Sequence, residues 1–136
     1  MILQIHDNLL ISDVQERFSK CFPCLKIEFY SKAHHIMEES PEKYLLSPEK
    51  SLGEIRRNQH AGCLELKSWY TVARVEKDFR ELFGLNVQVF RNENGGWIQT
   101  SDTDKYSLYQ QYEMACQANN SISPKFDEQL GEYDYL

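Results

Sequence analysis

The order of apolar periods along the chain predicts an α+β domain in which two βαβ-type units form one sheet with helices on one face. This is a ferredoxin-like arrangement with an extra hairpin strand and a C-terminal helix. Three observations predict it. Leu25, Ile27 and Phe29 alternate with Lys26, Glu28 and Tyr30 in a period of two, as a strand with one buried face requires. Before that run Val14, Phe18 and Cys21, and after it Val72, Val75, Phe79 and Leu82, recur at helical intervals. A length of 136 residues suits one domain, so both units are expected to share a single core.

Taken in order, Leu3 and Ile5 alternate with Gln4 and His6 as a first strand, and Asp7-Asn8 supplies turn chemistry. Were Leu9 to Ile11 to pair back across that turn, the first half would become ββαβ and the fold a ubiquitin-like roll. Ser12, with Gln15 three residues on, has the spacing of a capping box and predicts the first helix start there; Pro23 ends that helix. Residues 33–60 lose all periodicity around Pro41 and Pro48. A long loop with one or two helical turns is expected, docked through Tyr44, Leu45, Leu46, Leu52 and Ile55. Insertions of this kind often carry function, which makes the loop the first place to seek a binding surface.

Leu64 and Leu66 mark a third strand. Thr71 opens the most regular helix, with Tyr70 placed to staple onto Val75 and Gly84 at its left-handed end. Leu85 to Arg91 is a strand, Asn92 to Gly96 a five-residue turn, and Trp97 to Thr100 the returning arm. Ser107 with Gln110 starts a last helix through Leu108, Tyr112 and Ala115. The domain is thus expected to span 1–117. Residues 118–136 form a tail with four acidic side chains against one lysine, yet with Phe126, Leu130, Tyr133 and Tyr135, apolar groups suited to docking on a partner.

A net charge of −6 opposes the counterion-driven attraction that nucleic acids and anionic membranes exert, and Arg56-Arg57 is the clearest local basic pair. No apolar run has the length of a membrane span, and the opening lacks a signal-peptide pattern, so a cytoplasmic location is expected. Four cysteines are few for a disulfide scaffold and are expected as thiols.

Cys21-Phe22-Pro23-Cys24 has the Cys-x-Pro-Cys form of thioredoxin-like redox proteins. That chemistry requires the first cysteine at a helix N-terminus, whereas here it ends a helix, where it serves the apolar stripe. With His60 and Cys63 the same two cysteines offer the soft donor set of a tetrahedral zinc site, with His34-His35 placed in the exposed loop. Ser101 to Asp104, with Asp102 and Asp104 as conceivable carboxylate ligands beside Glu113, has the ordinary chemistry of a helix N-terminus. Gly95-Gly96 is that of a hairpin. Trp69, Trp97, Tyr106, Tyr109 and Tyr112 either line a recognition surface or pack the core.

The run from Phe83 to Arg91, followed by Gly96-Trp97 and by Thr100 to Asp104, resembles a block in small uncharacterised bacterial α/β proteins, to which no activity attaches. The resemblance covers about a fifth of the chain and implies only a helix-strand-hairpin unit. No nucleophile elbow or phosphate-cradling glycine loop is present. The expected function is therefore a noncatalytic protein-binding or regulatory module engaging another protein, or a second copy, through a sheet edge, the long loop or the tail. The alternatives are a structural zinc or thiol-disulfide protein using Cys21, Cys24, His60 and Cys63, and an enzyme with a small-molecule pocket between sheet and loop.

Overall fold

The computed structural model describes residues 1–34, 38–56 and 60–119. The elements run β1 (Ile2–Ile5), α1 (Ile11–Cys21), β2 (Leu25–Tyr30), a 3-10 turn (Glu42–Tyr44), α2 (Leu52–Ile55), β3 (Gly62–Glu65), α3 (Val72–Phe83), β4 (Asn86–Glu93), β5 (Gly96–Gln99), a second 3-10 turn (Ser101–Thr103) and α4 (Leu108–Ala118). The class is α+β, with antiparallel pairing of β1 with β3 and of β2 with β4, compatible with a ferredoxin-like arrangement. None of these helices is long and apolar enough to cross a membrane.

Both stripes read from the sequence turn inward: Ile11, Val14, Phe18 and Cys21 of α1 and Val72, Val75 and Phe79 of α3 are buried. They join Leu3, Ile5, Leu64, Ile27, Phe29, Val87 and Val89 in one apolar cluster. Phe79 meets Phe29 edge to face, with ring centroids 5.9 Å apart. Leu82 departs from the expected stripe and is 48% exposed, while Phe83 is buried in its place. Four residues beyond Phe79, Phe83 continues the inward row, whereas Leu82 lies about one residue's rotation to the side.

The strands make two hydrogen-bonded sheets, β1-β3 and β2-β4-β5, in place of the single one expected. The cause lies on the edge of β2 that faces away from β4. There the Leu25 carbonyl accepts from Ser19 Oγ at 3.0 Å, the Ile27 carbonyl from Gln15 Nε2 at 3.0 Å, and the Phe29 carbonyl from the Leu46 amide at 2.9 Å. With three successive carbonyls satisfied by α1 and by the returning loop, no further strand is needed on that side. The two sheets meet through side chains of the common core.

Several local expectations are corrected. Helix α1 starts two residues early: Leu10 is its N-cap in place of Ser12, and Asp13 Oδ2 accepts the Leu10 amide at 3.0 Å, which releases Gln15 for β2. Leu9 and Leu10 pair with Leu52 and Ser51, not back onto β1, which removes the ubiquitin-like alternative. The hairpin turn is two residues long, because Asn94 and Gly95 both adopt positive φ (53° and 81°), the tight turn that matches strand twist. Thr71 and Ser107 do cap α3 and α4, and Gly84 closes α3 at φ 66°. Ser101 to Thr103 instead forms its own turn, and the carbonyls of Asp104 and Tyr106 accept the first amides of α3, so this segment caps α3 through its backbone.

Candidate partner-binding face

The alternation of β2 sends Lys26, Glu28 and Tyr30 to the sheet face opposite the helices. The register brings Phe90 beside Lys26, Gln99 beside Phe90, and Trp97 two pairs further along, on the same face. The long loop returns over the upper part of this face. Ser40 exchanges two hydrogen bonds with the Gln99 amide (2.7 and 3.0 Å), its hydroxyl donates to Gln88 Oε1 at 3.2 Å, and Tyr30 pairs with Leu45. Between the strands and the turn at Glu42 to Leu45 lies a cup of about 220 Å³, with Lys26, Glu28, Tyr30, Phe90 and Gln99 on its floor and sides.

Charge and aromaticity are arranged unevenly in and beside this cup. The Lys26 ammonium stands 5.1 Å from the Phe90 ring centroid and 4.9 Å from that of Trp97, while Glu28 Oε1 lies 3.4 Å from it. Burial, and then the carboxylates of Glu28 and Glu42, push the Tyr30 phenol up to about 12, so it stays protonated at every physiological pH. Next to the cup, β5 pairs with β4 on one side and has no strand on the other among the described residues. Trp97 on the cup's face is 45% exposed, and Ile98, on the opposite face, is 41% exposed.

A second cleft of about 150 Å³ lies between α3 and His34. His34, expected in an exposed loop, has its side chain buried, with Nε2 3.3 Å from Glu76 Oε1; His35 lies outside the described residues. Glu76 also accepts the Val89 amide at 3.2 Å. Burial raises its carboxyl pKa, with Asp104 adding to that and His34 and the Val89 amide opposing it. The pair ties the loop's beginning to α3 and β4. Nothing in the local pattern signals it, because Glu76 falls beside Val75 on a face that the period assigns to apolar groups.

The remaining candidates are dispersed. Cys21 is buried at the end of α1, Cys24 is half-buried at φ 66° in the turn that follows, Cys63 is exposed on β3 opposite Gln4, and His60 is exposed just before it. All four cysteines are free thiols, and no group of three His, Cys, Asp or Glu side chains suited to a metal occurs among the described residues. Cys24 instead has Cys116 of α4 as its electrostatic neighbour; burial first, and that thiol second, push its pKa up. Arg56 is engaged by Asp7, and Arg57 lies outside the described residues. So do Phe126, Leu130, Tyr133 and Tyr135. Of the aromatic set, Tyr112 is buried, Tyr106 and Tyr109 are half-buried, and Trp69 is 59% exposed away from the cup on the β3–α3 connection.

No protein-family model, curated protein or solved structure matches the chain.

Proposed function

We propose that this chain is a noncatalytic protein-binding module that takes an extended segment of a partner protein along β5 and across the cup. The observation that carries the reading is an edge strand with two large apolar side chains exposed, Trp97 on the face where a concavity walled by the long loop opens and Ile98 on the other. An edge strand offers a row of backbone donors and acceptors that an incoming strand can pair with, and neighbouring concavities select its alternate side chains. The cup's size favours this over a cofactor or drug-sized substrate. At about 220 Å³ it falls below the roughly 300 Å³ at which small-molecule pockets begin.

Affinity purification from the native cell, comparing the full chain with Trp97→Ser and Ile98→Glu, tests the reading. A partner lost by both variants and kept by Trp69→Ser supports it, since Trp69 is an even more exposed tryptophan elsewhere. A partner set indifferent to Trp97 and Ile98 overturns it. Light scattering of the same proteins shows whether that partner is a second copy, which would appear as a dimer abolished by Ile98→Glu.

A further inference from the structure

We infer that the cup is the specificity pocket for a basic side chain, arginine above all, carried by the segment that pairs with β5. This rests on the protein-binding reading and names the chemistry of its partner. Lys26 shows what the site holds: a primary ammonium on an alkyl stem, set over two aromatic rings at 4.9 and 5.1 Å with a carboxylate oxygen at 3.4 Å. It is an internal occupant of a cation site. Its charge is balanced by Glu28, which leaves the lining of the cup with one further carboxylate, Glu42 on the wall.

The effect is strongest for a cation with a planar face. A guanidinium stacks on aromatic rings such as Phe90 in the cup and Trp97 beside it, sheds water more readily than an ammonium, and presents paired N–H donors to a carboxylate. An anion would find only a cation already neutralised by Glu28. A neutral apolar side chain would bury the Glu42 carboxylate against it without offering that charge a partner. Size agrees, because about 220 Å³ receives one long side chain and little more. Position agrees too: Gln99 of β5 forms part of the lining, so a strand added beside β5 sends alternate side chains to the face on which the cup opens.

Lys26 therefore acts as a tethered competitor that an incoming arginine must displace from the rings. The probe is N-acetyl-arginine amide, titrated into the full chain carrying Trp69→Phe so that Trp97 is the only tryptophan, with amide shifts recorded at Lys26, Glu28 and Phe90. Saturable quenching of Trp97 and shifts confined to those strands are expected, with affinity rising about fivefold or more in Lys26→Met, where the competitor is gone. Glu42→Gln, on the exposed turn, lowers it by about twofold to fivefold, and raised salt does the same. N-acetyl-glutamate amide and N-acetyl-leucine amide give no response.

Equal responses to the glutamate or leucine probe, weaker arginine binding in Lys26→Met, or no response in either protein would overturn the pocket assignment. Should the partner depend on Trp97 and Ile98 while the arginine probe fails, β5 remains the docking edge and only the cup's specificity falls. Arginine binding with a partner indifferent to both side chains would separate the two the other way.

Discussion

On β2, Leu25, Ile27 and Phe29 turn to the helices and are sealed, while Lys26 and Glu28, the residues between them, stay half-open on the opposite side. The same division continues on β4, where Val87 and Val89 are buried beneath α3 and Phe90 is left to the cup. One face is thus sealed in the core and the other is left open to solvent. A side chain of similar size matters very differently on the two. Phe79, packed on the inner side against Phe29, should cost about 3–5 kcal/mol when replaced by alanine, read as a loss of unfolding free energy in denaturant. Phe90→Ala, on the outer side, should cost about 1 kcal/mol or less. Equal costs would break the comparison.

Glu76 sharpens it, as the one carboxylate of α3 placed on the sealed side. Its folded-state pKa is raised by burial above the ordinary 4.5, so the neutral form is the one folding favours. Its contribution is complete below pH 4.5 and is lost as pH climbs through the higher folded value. Glu76→Gln, which keeps an acceptor for the Val89 amide, should therefore gain on the natural chain with rising pH; denaturant midpoints collected from pH 4 upward would follow this. A constant difference across the range would mean that burial does not govern the carboxyl.

A smaller effect is expected at Ser19, whose hydroxyl satisfies the Leu25 carbonyl. Ser19→Ala should cost about 1 kcal/mol in thermal or denaturant unfolding. The mildest probe leaves the fold intact: a thiol reagent should label exposed Cys63 first, Cys24 and Cys116 more slowly, and buried Cys21 only on unfolding. Peptide mapping of the labelled sites gives the order. Rapid reaction at Cys21 would mean that the end of α1 opens far more readily than its packing implies.

The sealed side was legible in the sequence because it is written locally. A period of two in residues 25–30, intervals of three and four before Cys21 and after Thr71, the start at Thr71 and the capping pair Ser107–Gln110 each need only a few neighbours to be recognised. The open side was not. Its cup exists because Lys26 lies opposite Phe90, because Trp97 returns across a two-residue turn, and because residues 40–46 come back to Gln99 and Phe29. None of these distances along the chain has a period. The split into two sheets was hidden for the same reason, since Gln15 looks like a capping glutamine until Asp13 is found in that role.

The closing of one border of β2 by Gln15, Ser19 and Leu46 also limits how this sheet can grow. Strands that are free on both borders can propagate into fibres, each arrival exposing a fresh template. Among the described residues the three-stranded sheet has an open border only beside β5, and two copies joined there would each present the blocked border outward. Any assembly of copies through this sheet would therefore stop at a pair and could not run on into a fibre.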